Sequence, residues 1–345
     1  MAAGRAVSSG SPASPASGRR RRGNHSLRWF LVRRTAAFAL TLLVASIAVF
    51  AVLSVLPANP AVVVLGTTAT PAAVHAKLVA LGLNVPLWLQ WAHWTGGLLS
   101  GRLGSSYVSD QPIGPQIVQD LEITGPLVGL GLAIGTVVGI GLGVPAALRY
   151  RRVSGAAIAS AGQVGLAVPN FVAGTILAIV VGVKLGWLPP NGFGSGPGYW
   201  SQDPAGAIEA LILPALSLGL AEGAILSRYV RSAVLEVLRS DYLRTARAKG
   251  LRPRQALWRH GRRNAAAPVV TVLGLELAGL LVGAIVVEYI FELPGLGTAL
   301  ITAIGNRDLL VVQDIVMLVA STVLVVNLLV DVAYRLIDPR IGLDS

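Results

Sequence analysis

Long apolar blocks alternate with short polar segments along most of this chain. A helix needs about 20 mostly apolar residues to cross a bilayer. Residues 35–56, 123–148 and 155–183 carry no charge, residues 210–226 carry only Glu222, and residues 265–287 carry only Glu276. Residues 315–330 are uncharged but short, so that block is expected to run past Asp331. The pattern predicts six transmembrane helices and an all-α membrane protein. Any one block could be a buried soluble helix, but six in succession exclude a soluble domain. The first block is too long for a cleavable signal, whose apolar region is about 7–15 residues. Pro57 and Pro60 crowd the place where a cleavage site would fall, so an uncleaved anchor is expected.

Between the blocks, local signals place further elements. Thr70 followed by Pro71 reads as a helix cap and first position, with Gly82 as the stop. Pro86 opens a second helix on which Trp88, Trp91 and Trp94 recur every third residue, as expected of a helix at the headgroup level. A platform for an external partner is the sharper alternative. Gly131, Gly135, Gly139 and Gly143 form a smooth ridge at four-residue spacing, which permits close helix approach. That ridge serves either packing within the chain or a subunit interface. Pro145, Pro169 and Pro214 are expected to interrupt their spans.

Composition sharpens the class. The chain is 54% hydrophobic and 13% charged, against about 25% charged in a typical soluble domain. The net charge of +12 is concentrated: 24 of the 28 Lys and Arg residues fall in the N-terminal tail, residues 149–152, residues 228–263 and the C-terminal tail. The positive-inside rule puts those segments in the cytoplasm, with both termini inside and residues 57–122 outside. Basic charge therefore reports topology first. No basic stretch carries regularly spaced aromatic residues, which disfavours nucleic acid. Residues 1–30 read as a disordered basic tail, and residues 31–345 as one transmembrane domain.

Candidate chemistry is sparse. There is no cysteine, and no two of the four histidines stand at metal-ligand spacing on a helix. No His-Glu-x-x-His or Gly-x-Ser-x-Gly motif occurs, and none of the three lysines (Lys77, Lys184, Lys249) follows a glycine. A Walker-type nucleotide site is therefore excluded, and so are the common hydrolase sites. Glu276 stands at the midpoint of its apolar block. A carboxylate there by default marks a pathway or a paired partner, so Glu276 is expected to face a water-filled route. Glu222 lies nearer the cytoplasmic end and is expected to snorkel. Read alone, Glu276 also admits a proton-coupled secondary transporter.

The polar segment 228–264 is the most informative. Ser240 can cap a helix over 241–249, Asp241 complements its positive end, and Gly250 can take the left-handed stop. Such a helix is about 13 Å long and needs docking to persist. Tyr242 and Ala246 would share one side, with Arg244 and Arg247 on another. Pro253 is expected to start a helix that climbs into the fifth span.

The run Tyr242-Leu243-Arg244-Thr245-Ala246-Arg247-Ala248-Lys249-Gly250, followed by Trp258-Arg259-His260, Arg263-Asn264-Ala265 and Pro268, resembles the coupling loop of ATP-binding-cassette importer permeases. More narrowly it resembles the dipeptide/oligopeptide/nickel permease family. The general motif has Glu six residues before the glycine, where this chain has Arg244, as that subfamily commonly does. Supporting blocks are Leu103-Gly104-Ser105-Ser106-Tyr107, Leu185-Gly186-Trp187-Leu188-Pro189-Pro190, Glu288 with Pro294-Gly295-Leu296-Gly297, and Asp338-Pro339-Arg340. The likeness covers residue 31 to the end, and Glu276 departs from it, since an uncharged amide is expected there. The resemblance implies a permease, not an enzyme, moving peptides or a nickel chelate across the cytoplasmic membrane. It implies a second, similar permease, two cytoplasmic ATPase subunits and an external binding protein as partners. ATP and Mg would be bound by those ATPases and no cofactor by this chain. Asp241, Tyr242, Arg244, Thr245, Ala246, Arg247, Ala248, Lys249 and Gly250 would form the ATPase-coupling element, and Glu276 would line the pathway.

Overall fold

A computed structural model describes residues 23–55, 59–194 and 199–337. Residues 1–22 of the basic tail, and the Asp338-Pro339-Arg340 block, lie outside them. The contacts divide the chain into residues 1–41 and residues 42–345. The described part of the first unit is helical, being the opening of helix α1 (Gly23–Val55).

Among the described residues, five helices are long and apolar enough to cross a membrane. These are Val32–Val55 of α1, α5 (Ile113–Leu148), α9 (Pro204–Arg239), the continuous stretch Pro253–Ile290, and Leu309–Val332 within α14 (Leu309–Ile337). The sixth expected span is broken. Helix α6 (Val153–Ala167) and helix α7 (Asn170–Leu177), which continues as a π-helical turn to Lys184, form a pair bent by 93°. Pro169 is the cause. It lacks an N–H, and its ring pushes the preceding Val168 into an extended conformation (φ −94°, ψ 115°). Pro145 and Pro214 do not break their helices, contrary to the expectation from sequence. At 1.5 Å per residue, α5 and α9 are each about 54 Å long and exceed the roughly 30 Å hydrocarbon core. The polar ends of both therefore project into water.

The glycine ridge is resolved as packing inside the chain. Along α5, a Cβ built at Gly131 would lie 3.1 Å from Leu218 Cβ, at Gly135 2.6 Å from Glu222 Cγ, at Gly139 2.7 Å from Leu226 Cβ and at Gly143 2.7 Å from Val230 Cβ. Side chains at four-residue spacing on α9 thus fill the groove at four-residue spacing on α5. The fit is reciprocal: Gly219 and Gly223 of α9 admit Ile134 and Val138, each with 2.6 Å to the glycine's would-be Cβ. Only hydrogen at these positions lets two backbones come this close.

At one end, between α1 and α5, lie three short helices: α2 (Pro60–Leu65), α3 (Pro71–Ala80) and α4 (Leu87–Leu99). Thr70 caps α3 as expected, its Oγ1 accepting from Ala73 N–H at 3.3 Å, and Gly82 turns the chain at φ +70°. The tryptophans divide. Trp88 is exposed, whereas Trp91 Nε1–H donates to Ser46 Oγ at 3.3 Å and Trp94 Nε1–H donates to Asp314 Oδ1 at 2.8 Å. Two of the three therefore anchor α4 to neighbouring long helices. Helix α8 (Tyr199–Gln202) precedes α9, helix α10 (Asp241–Ala248) follows it, and α11 (Pro253–Ala256) leads through a π-helical turn into α12 (Arg262–Ile290). Helix α13 (Leu296–Gly305) connects α12 to α14.

Candidate functional site: a docked cationic helix

Helix α9 ends at Arg239, and α10 begins two residues later. Ser240 stands at the cap position with extended backbone (φ −65°, ψ 148°), but its hydroxyl does not cap α10. It donates instead to Val237 O at 2.6 Å, closing the last turn of α9. Asp241 occupies the first turn and pairs at 3.7 Å with Arg244, both well exposed. The helix stops one residue earlier than expected, at Ala248, with Lys249 as its C-cap. Gly250 takes the left-handed stop at φ +92°, its N–H donating to Arg247 O at 3.0 Å.

The apolar stripe keeps Ala246, as the sequence suggested, but has Leu243 in place of Tyr242. Leu243 and Ala246 are the buried residues of α10, at 0% and 9% exposure, while Tyr242 is 41% exposed. The stripe sits in a cluster with Val237 and Leu238 of α9, Ala256 of α11 and Leu257. Gly261 completes the seat: a Cβ there would lie 2.7 Å from Val237 Cγ1 and 3.3 Å from Leu243 Cδ1. Tyr242 ties the helix to the start of α12, its hydroxyl oxygen accepting from Asn264 Nδ2–H at 2.9 Å. Arg252 N–H donates to Gln255 Oε1 at 3.1 Å and fixes the start of α11.

Docking this face leaves the other to solvent. Arg244, Thr245, Arg247, Ala248 and Lys249 are exposed, as are Arg252, Arg254, Trp258 and Arg259 just beyond. The arrangement is a short helix held at both ends against two long helices, presenting guanidinium and ammonium groups outward. Arg, with exposed aromatic side chains beside it, suits a protein interface with an acidic partner. Leu243, Gly261 and Asn264 were missed as determinants. The available signal was the i, i+3 pair Leu243/Ala246 matched by Leu257 and Gly261 four residues apart.

Glu276 lies far from α10 in sequence, on α12, and is half-buried. Arg228 of α9 is near enough to act on it electrostatically, and Glu276 is itself near enough to act on Glu222 of the same helix α9. Glu222 does not snorkel, against expectation. It is 4% exposed, lodged against Gly135, and its Oε1 is buried without a hydrogen-bond partner. Glu222 and Arg228 thus both neighbour Glu276; the sequence singled out both glutamates but not Arg228.

Two of the other quoted blocks, Leu103–Tyr107 and Glu288 with Pro294–Gly297, make their contacts at the opposite end. Thr124 Oγ1–H donates to Glu288 Oε1 at 2.6 Å, Gly297 N–H donates to Glu288 Oε2 at 2.6 Å, and Leu296 N–H donates to Thr124 Oγ1 at 3.0 Å. Gly295 and Gly297 are required because a Cβ at either would collide with the Glu288 carboxylate. Ser106 donates to Asp308, as does the Tyr107 N–H at 3.3 Å, joining the Leu103–Tyr107 block to the start of α14. Burial pushes the Tyr107 phenol up to about 12, with the carboxylates of Asp308 and Asp314 adding to the effect. No group of three or more His, Cys, Asp or Glu residues placed to hold a metal occurs among the described residues.

Comparison with known proteins gives the context. Residues 139–343 match the family described as "Binding-protein-dependent transport system inner membrane component", and residues 27–124 match its N-terminal companion. The chain is 36% identical over 312 residues to a probable peptide ABC transporter permease protein of Sinorhizobium fredii, covering 90% of this chain and 98% of the relative. It is 36% identical over 314 residues to a putative peptide transport system permease protein of Brucella abortus (91% and 99% covered). It is likewise 36% identical over 332 residues to the dipeptide transport system permease protein DppB of Escherichia coli K12 (90% and 98% covered).

Proposed function

Because the chain belongs to the inner-membrane component family of binding-protein-dependent transport systems, as a peptide-type ABC transporter permease, we propose that it is the membrane-spanning subunit of an ATP-driven peptide importer whose α10 receives the force. The carrying observation is the seat of α10. Leu243 and Ala246 fasten it to α9 and α11, while Arg244, Arg247 and Lys249 face outward. An eight-residue helix is marginal alone and is held here by two buried side chains, one hydroxyl and a glycine stop. That construction suits a lever: rigid toward its own subunit and open toward a partner.

In this reading a second, similar permease completes the pathway, two cytoplasmic ATPases receive the α10 helices, and an external binding protein delivers the peptide. Mg-ATP is bound and hydrolysed in the ATPases. Both termini and α10 lie on the cytoplasmic side, as the distribution of Lys and Arg favours. Closure of the ATPases displaces α10, and because only Ser240 separates it from the end of α9, the displacement enters the spans directly. Glu276, with Arg228 and Glu222 beside it, lines the route that opens and closes.

The test is a charge reversal. In the assembled transporter, Arg247→Glu is expected to leave the ATPases bound but lower uptake by roughly tenfold or more, the loss of one or two interfacial charge contacts. Gly250→Trp is expected to do the same by straining the αL stop. Full uptake with normal ATPase copurification in both variants would refute the lever. Dissipating the proton gradient while ATP is maintained should leave uptake intact, and its collapse would point to a proton-coupled carrier instead.

A further inference from the structure

At the end of the molecule opposite α10, a partly open pocket of about 270 Å³ lies among the first turns of α5, helix α13 and the loops around Ser106 and Asp308. A single water occupies about 30 Å³, so the space admits a sizeable group. Asp120 of α5 lines it at 8% exposure, and its Oδ2 is buried without a hydrogen-bond partner. Thr298 of α13 also lines it, and its Oγ1 too is buried and unpartnered. No lysine, arginine or histidine is among the lining residues.

The neighbouring carboxylates are already satisfied. Asp308, in the same wall, accepts from Ser106 and the Tyr107 N–H. Glu288, close enough to feel the Asp120 carboxylate, accepts from Thr124 and Gly297. Asp120 is the acceptor left over. A buried carboxylate without a donor or counter-charge is unfavourable, so the site is built for something it must take up. A metal ion does not suit it, since no three ligating groups converge there. A neutral donor would supply a hydrogen bond but no charge. An ammonium group supplies both, with donors enough for Asp120 and Thr298 together.

We propose that this pocket receives the α-ammonium group of a peptide cargo, with Asp120 and Thr298 as its acceptors. The proposal rests on the importer reading above and names a feature of the cargo: a free amino terminus. Ala299, Ala303, Val108 and Val311 in the wall leave room for a small apolar first residue beside the charge.

The experiment uses cells lacking this chain and complemented with wild type or variants, equal membrane abundance being verified by immunoblot. Uptake of trialanine is compared with that of N-acetyl-trialanine at concentrations below saturation. Asp120→Asn is expected to lower trialanine uptake by roughly tenfold or more, the worth of a charge-assisted contact, with N-acetyl-trialanine unchanged. Asp120→Glu is expected to restore most of the preference. If Asp120→Asn matches wild type for both peptides, or depresses both equally, the ammonium site is overturned while the importer reading stands. If cells lacking the chain already take up trialanine as well as complemented cells, it is the importer reading that fails. A binding readout stands beside uptake: the purified full chain in nanodiscs should bind trialanine more tightly than its acetylated form, and Asp120→Asn should abolish that difference. Equal binding of the two peptides by wild type would overturn the proposal.

Discussion

Removing the Leu243 side chain should release α10 from its seat. Leu243 is fully buried, and the only other buried side chain of α10 is that of Ala246. Leu→Ala in a packed core costs about 2–5 kcal/mol. Because α10 has eight residues and little helical stability of its own, nearly all of that loss falls on its docking. A loss of about 3 kcal/mol corresponds to roughly a hundredfold rise in the undocked fraction. Hydrogen–deuterium exchange on the chain in nanodiscs reads this directly. The amides of Arg244 and Lys249, which donate to Ser240 O and Thr245 O, should exchange far faster in Leu243→Ala, while those in the α9 segment facing α5 stay protected. Tyr242→Phe, which removes the phenolic acceptor of Asn264, should have a much smaller effect, about 1 kcal/mol. Exchange of the α10 amides within about twofold of wild type would show that Leu243 does not hold the helix, and the lever would lose its fastening.

Gly139→Ala should destabilise the chain by about 1–3 kcal/mol through overpacking against Leu226, whereas Gly141→Ala, with nothing within 4 Å of the new methyl, should be neutral or better; thermal unfolding in detergent separates them, and equal midpoints would refute the interlock. Tyr107 should resist ionisation. Its phenol is raised from 10.0 to about 12, so its contribution to stability is complete below pH 10 and is lost as pH rises from 10 towards 12; the tyrosinate absorbance of wild type minus Tyr107→Phe should stay flat to about pH 11, and a step near pH 10 would contradict the burial. Glu276→Gln and Glu276→Leu should change the rate or substrate preference of uptake if the carboxylate lines the route; wild-type behaviour in both would remove it from the pathway.

Much of the fold was legible because membrane spans are written in uninterrupted apolar length. Five of the six expected blocks emerged as continuous helices, and α3, α11 and the stop at Gly250 followed from proline, threonine and glycine signals that act locally. What failed depended on partners distant in sequence. Pro169 breaks its span while Pro145 and Pro214 do not, a difference that proline alone does not announce. The face of α10 was misjudged by one residue since Tyr242 and Leu243 are both apolar enough to bury, and only the position of Val237 and Gly261 decides between them. Glu222 looked able to reach water, yet Gly135 opposite it creates a hole its stem must fill. The orphaned Asp120 left no sequence signal at all, because a carboxylate before an apolar run is ordinary at a helix start.

The glycine ladder between α5 and α9 has a mechanical corollary. Backbones meshed tooth by tooth over several turns cannot slide without a whole-notch jump, so the two helices travel as one beam. Any rearrangement that opens and shuts a passage is then better sought outside that pair, first at the elbow at Pro169.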